Sequence, residues 1–246
     1  MPALEEPHLL SHRSISPTER LILALDVPEI GEARRLVEKL GEAVRFYKLG
    51  LELFMTEGYF ELVDWLLGRG KMVFADLKLF DIPETVGAAV RRLRRRAVTF
   101  TTVHGGNDRI LAAACREKGD LKILAVTVLT SFDRGDLRQL GVDIEVTQLV
   151  LARARQALEL GCDGVVCSGL EARAVRERLG PELLIVTPGI RPAANRPADD
   201  QKRAVGVEEA FLNGADYIVV GRPIRLAPDP YRAACDIQQA ISNLFR

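Results

Sequence analysis

Rhythm constrains this chain more than any single residue does. Short runs rich in β-branched and aliphatic residues, at 21–26, 45–49, 72–78, 98–103, 123–129, 164–167, 184–187 and 217–221, alternate with longer segments of helical period. Most of the short runs are continuously apolar, as strands covered on both faces must be, which argues for a parallel sheet built from repeated βα units. Eight such units in 246 residues match the roughly 250 residues of a closed (β/α)8 TIM barrel, so an α/β fold with one domain and one large core is expected. Amphipathic segments such as 29–40 and 83–96 supply the outer helices. The second opens with Pro83, at a position where the missing N–H costs little. Residues 1–20 precede the first strand and read as a loose N-terminal extension, leaving 21–246 as the barrel domain.

Charge excludes some function classes. Lys plus Arg equals Asp plus Glu at 34 each, so no net field attracts nucleic acid or anionic lipid, and any anionic ligand must be met locally. The cluster Arg91, Arg92, Arg94, Arg95 and Arg96 lacks interleaved aromatics and reads as an exposed helix face. Cys115, Cys162, Cys167 and Cys235 show no metal-binding or redox spacing and read as buried free thiols. Near the N-terminus, Glu5, Glu6 and His8 interrupt any apolar run, so neither a signal peptide nor a membrane anchor is expected, and a cytoplasmic location follows. The polar, Pro-rich stretch 190–204 lies between the seventh strand and its helix, where long loops commonly act as lids.

Chemistry concentrates where the strands end. Asp76 and Lys78 are two apart on a strand, so both side chains project from one face while Leu77 takes the other. Burying two charges at a barrel mouth costs several kcal/mol per ion unless each is paired, so a functional site explains them better than stability does. A rim ion pair partly in water is the alternative that spacing leaves open. Lys48 ends the second strand and Asp26 the first. Lys48, Asp76, Lys78 and Asp81 would then alternate two cations with two anions, each holding the next in its charged state. Such an array needs no metal for neutrality, and Leu51-Glu52 nearby offers too few oxygens for a hard cation.

The string Asp76-x-Lys78-x-x-Asp81-Ile82-Pro83-x-Thr85, preceded by Leu23-Ala24-Leu25-Asp26 and Tyr47-Lys48-Leu49-Gly50, closely resembles the orotidine 5'-monophosphate decarboxylase family. Val103-His104-Gly105-Gly106, the stretch from Val126 to Thr130 and Ser131, Thr187-Pro188-Gly189-Ile190-Arg191, Asp199-Asp200-Gln201-x-Arg203 and Val219-Val220-Gly221-Arg222-Pro223 agree in order. The resemblance implies decarboxylation of orotidine 5'-monophosphate (OMP) to UMP without cofactor or metal. It makes Lys78 the acid that protonates C6, sets Asp76 against the substrate carboxylate, and has Lys48 hold Asp76 and reach the ribose. Asp26 would accept ribose hydroxyls, and Ile82 and Thr130 would join the substrate contacts, Thr130 at the pyrimidine amide edge. Gly189, Gly221 and Arg222 would take the phosphate. Gln201 and Arg203 would reach the ligand only when their loop closes. Arg191 is counted with the substrate contacts and expected at the surface, gating that loop or simply solvated.

The resemblance further implies an obligatory homodimer in which Asp81 and Thr85 serve the neighbouring subunit's site. His104 reads equally as a site residue or a structural histidine. Two other functions compete. Mg2+-dependent hexulose-phosphate synthases or keto-gulonate-phosphate decarboxylases share Asp-x-Lys-x-x-Asp but lack the Ile-Pro-x-Thr continuation that is intact here, and a silent nucleotide-binding barrel is allowed by fold alone.

Overall fold

The computed structural model describes residues 8–191 and 205–246. Eight parallel strands close in sequence order into a barrel: β1 Leu21–Ala24, β2 Phe46–Leu49, β3 Met72–Leu79, β4 Phe100–His104, β5 Lys122–Val126, β6 Gly164–Val166, β7 Leu184–Thr187 and β8 Tyr217–Val220. Around them lie α1 Ile30–Leu40, α2 Leu51–Phe54, α3 Tyr59–Leu67, α4 Pro83–Arg94, α5 Asp108–Glu117, α6 Arg134–Gln139, α7 Val146–Glu159, α8 Gly169–Leu179, α9 Val207–Leu212, α10 Arg222–Arg225 and α11 Pro230–Leu244. Each expected strand is present. The first and fifth stop earlier than their apolar runs, but Leu25 and Thr127 still donate N–H bonds to Lys48 and Val166 carbonyls, so the ladder frays gradually into the mouth.

Strand periodicity sorts side chains into two cores. Leu21, Leu23, Tyr47, Leu49 and Val73 face outward under the helices. Ile22, Ala24, Phe46, Phe74, Phe100, Leu124, Tyr217 and Val219 fill the interior. Within it Phe100 packs against Phe46 at 5.0 Å, against Tyr217 at 5.2 Å and against Phe74 at 5.9 Å between ring centroids, tilted or edge-on as ring quadrupoles favour. Pairing of Ala24 with Lys48 and of Lys48 with Phe74 sets the layer above. Two residues beyond Phe46, Phe74 and Phe100 on the same inner face stand Lys48, Asp76 and Thr102. The aromatic layer is thus the floor of whatever the mouth contains.

The N-terminal segment is not loose where it is described. Ile15 packs against the interior core from below, and Leu9 N–H bonds the Leu212 carbonyl at 2.9 Å. Arg20 is fully buried, its guanidinium 3.7 Å from the centre of the Phe245 ring and donating to the carbonyls of Asp216 and Arg13. The buried Asp216 carboxylate collects Ser11 Oγ, Arg176 at 2.7 Å and the Ile185 N–H at 2.8 Å. A buried carboxylate satisfied on both oxygens fixes what it touches. Residues 1–7 lie outside the described residues.

Two arginines of the basic run are paired. Arg91 pairs with Glu117 at 3.0 Å, while Arg96 pairs with Asp64 at 2.6 Å and lies over Phe60. All four cysteines are free, but only Cys162 and Cys167 are buried, so the expectation of burial fails for Cys115 and Cys235. Among the described residues no helix is long and apolar enough to cross a membrane.

Candidate active site

A cavity of about 450 Å3 opens at the C-terminal end of the barrel, the size and place of a small-molecule site in this architecture. Asp26, Lys48, Asp76, Lys78, Thr130, Gly189, Arg191, Gly221 and Arg222 all line it, together with apolar positions such as Val126 and Val219. Arg191, expected at the surface, is buried with 7% of its area exposed. A short parallel bridge between Ile190 and Val205, with the Arg191 N–H donating to the Val205 carbonyl at 2.9 Å, holds this residue against the barrel, where it lines the cavity. Gln201 and Arg203 lie outside the described residues.

Charges in the cavity form a connected chain. Lys48 Nζ lies 3.1 Å from Asp26 Oδ1 and 3.3 Å from Asp76 Oδ2. Lys78 Nζ lies 2.9 Å from the same Asp76 oxygen. Exposure divides the labour: the Lys48 and Asp76 side chains keep 12% and 11% of their area, whereas Asp26 and Lys78 keep 45% and 34%. The inner pair is the more rigidly held and the outer two the more open, and all four line the cavity.

Burial alone would push the Asp76 carboxyl up, but Lys48, Lys78 and hydrogen bonds from Lys78 and Thr102 hold it below the usual carboxylate range. For Lys48 burial would favour the neutral amine, yet Asp76 and Asp26 raise it above an ordinary lysine. Both stay charged because each is the other's counter-ion. Among the described residues no group of three or more His, Cys, Asp or Glu side chains could hold a metal.

The route by which Asp76 and Lys78 come together is less regular than alternation predicts. Ala75 pairs with Thr101 and Leu79 with Val103, so four residue steps on β3 face two on β4. Inside that bulge Lys78 takes φ 48°, a left-handed conformation costing a non-glycine residue roughly 1–3 kcal/mol. Bulges re-aim side chains beside functional sites. Thr102, fully buried on β4, touches both ends of this one: its Oγ1 accepts the Lys78 N–H at 2.9 Å and donates to Asp76 Oδ1 at 2.8 Å. Thr102 lies in none of the motifs that mark the other site residues. Counting by twos from Phe100 along the inner face would have found it.

Other expected residues fall elsewhere. Asp81, Ile82 and Thr85 are exposed, outside the cavity lining, and the Asp81 carboxylate accepts the Ile82 N–H at 2.6 Å. Within one chain, therefore, three of the four charges expected to form the array come together and Asp81 does not. His104 is half-buried with its ring 5.4 Å from that of Phe80. Burial, then Arg153 and Lys78, depress its imidazolium, and it is not among the cavity residues.

Comparison with known proteins agrees with this geometry. The family model described as "Orotidine 5'-phosphate decarboxylase / HUMPS family" matches residues 19–237. The chain belongs to this family. An orotidine 5'-phosphate decarboxylase of Methylococcus capsulatus is 61% identical over 97% of this chain and 98% of its own. One of Xanthomonas campestris is 52% identical over 91% and 92%. Among solved structures, the orotidine 5'-phosphate decarboxylase of Lactobacillus acidophilus superposes with a TM-score of 0.80 at 35% identity, covering 91% of this chain and 99% of that one. The match to the orotidine 5'-phosphate decarboxylase / HUMPS family spans all eight strands, so every barrel position lining the cavity lies inside it.

Proposed function

We propose that this chain decarboxylates OMP to UMP, using its own side chains in place of a metal or cofactor. The observation that carries the reading is the Asp26–Lys48–Asp76–Lys78 chain of contacts at the barrel mouth, on a scaffold whose curated relatives bear that enzyme's name. In the reaction the C6–CO2 bond breaks, its electron pair stays on C6, CO2 leaves, and a proton from Lys78 Nζ forms the new C6–H bond. Lys78 suits the role because its ammonium is partly open to the cavity while tethered at 2.9 Å to Asp76; a positioned acid contributes typically 10²–10⁴-fold.

Asp76 would face the substrate carboxylate, so that like charge disfavours bound OMP more than the decarboxylating state. Lys48 keeps Asp76 in place and, with Asp26, meets the ribose. Thr130 would bond the pyrimidine edge. Gly189, Gly221 and Arg222 would take the phosphate, with Arg191 beside them; Gly189, at φ 78°, lets the backbone turn where a side chain would strain it. Each cluster carboxylate already faces an ammonium, which supports a metal-free reading.

The reading includes a cytoplasmic homodimer in which Asp81, Ile82 and Thr85 complete the partner's site. Support comes from exposed apolar side chains following adjacent strands: Leu51, Phe54 and Met55 after β2, Phe80 and Ile82 after β3. Apolar surface of that kind is usually covered. Loss of the OMP ultraviolet band on adding enzyme, unchanged after exhaustive chelation with EDTA, is the expected result. Activity abolished by EDTA and restored by Mg2+ would instead indicate a sugar-phosphate lyase, and binding of nucleotide without turnover a silent barrel.

A further inference from the structure

We propose that Thr102 is a positioning residue of this site, its single hydroxyl joining the backbone of the proton donor to the carboxylate that donor must face. The inference rests on the roles proposed above for Lys78 and Asp76.

Hydrogen-bond direction follows from chemistry. The bulge in β3 withdraws Lys78 from the ladder between Ala75 and Leu79, and a backbone N–H deprived of its strand partner needs another acceptor. The Thr102 oxygen supplies it at 2.9 Å. Having accepted that bond, the hydroxyl turns its one proton toward the other oxygen in reach, Asp76 Oδ1 at 2.8 Å, which as a carboxylate can only accept. Asp76 Oδ2 is then left for both ammonium groups, Lys78 at 2.9 Å and Lys48 at 3.3 Å.

Thr102 therefore fixes two variables at once. It holds Lys78 in the left-handed backbone conformation that carries its side chain back over Asp76, and it stops the carboxylate from rotating its second oxygen toward the amines. Thr102 is fully buried and absent from the cavity lining, so it acts through Lys78 and Asp76 and not on the ligand. Neighbouring Thr101 offers an internal contrast. Its hydroxyl also bonds β3, but at the Ala75 carbonyl on the outer face, where it serves the sheet alone.

The experiment compares Thr102→Val, isosteric but without a hydroxyl, with Thr102→Ser, which keeps it. Circular dichroism confirms folding, and kcat, KM and the pH profile of kcat are measured with OMP. Loss of a bond to a charged group predicts a kcat for Thr102→Val about 10- to 100-fold below wild type with KM little changed. Removing a donor from Asp76 should also move the acid limb of the profile to higher pH. Thr102→Ser should restore kcat to within about threefold and return the limb. If valine does not fold, Thr102→Ala carries the same comparison.

A folded, hydroxyl-free variant with wild-type kcat and an unmoved limb would overturn the inference, as would equal impairment of the valine and serine variants. Wild-type enzyme and Lys78→Ala are run alongside. Wild-type turnover abolished in Lys78→Ala, with a silent Thr102→Val, would sink this inference alone. A wild-type protein inert toward OMP would overturn the parent reading and this one together.

Discussion

Asp76 carries most of the electrostatics of the mouth, since one of its oxygens faces two ammonium groups and the other a hydroxyl. Its depressed carboxyl contributes stability that is present above the unfolded value near 3.8 and lost as pH falls through the lower folded value. The raised Lys48 works oppositely: its contribution is complete below 10.5 and lost as pH rises through the higher folded value. Melting temperatures of wild type and Asp76→Asn should therefore differ by a constant amount near neutrality and converge below about pH 4. A gap that persisted undiminished to pH 2 would contradict this assignment. Lys78→Ala removes the proposed proton donor together with one of the two ammonium groups facing Asp76: kcat should drop by ~10³-fold or more in a protein with an unaltered circular dichroism spectrum. These residues were legible in the sequence because strand periodicity puts Asp76 and Lys78 on one face. The bulge that brings them together was not, because it depends on the register of β4 and on a hydroxyl 26 positions away.

Elements place the site by what they omit as well as by what they carry. On β6 the inward position beside Leu124 and Leu184 is Gly164, where an added Cβ would lie 2.5 Å from the Leu184 carbonyl oxygen and 2.9 Å from a Leu124 methyl. Overpacking of that kind against backbone typically costs 1–3 kcal/mol. Gly164→Ala should thus lower the melting temperature by about 2–10 °C while leaving KM for OMP near wild type, as scanning calorimetry and steady-state assays would show. An unshifted melting temperature would mean that the barrel can widen there. All eight strands were readable from their apolar runs, since burial on both faces leaves a strong compositional mark. The burial of Arg191 was not, because Ile190 bridges to Val205 beside it, a pairing that local sequence around a polar loop does not announce.

For the whole molecule, assembly decides where Asp81 acts. If Lys78 of one chain works with Asp81 of another, Lys78→Ala and Asp81→Ala proteins, each nearly inactive, should regain activity when unfolded and refolded together. Random pairing makes about half of the dimers mixed, with one intact site in each, so about a quarter of wild-type activity is expected. Continued inactivity, with exchange verified by differently tagged chains, would assign both residues to one chain's site. The segment under the barrel floor has a consequence for how the molecule is made. Ser11 bonds Asp216 across 205 positions, Leu9 bonds Leu212, and Arg20 stacks on Phe245. At 5–20 residues per second, synthesis separates Ser11 from its partner by about 10–40 s. Through that interval Ile15 has no finished floor to seal, and contacts so distant along the chain are the slowest to form. The nascent barrel consequently stays open at the end opposite its chemistry until β8 has left the ribosome.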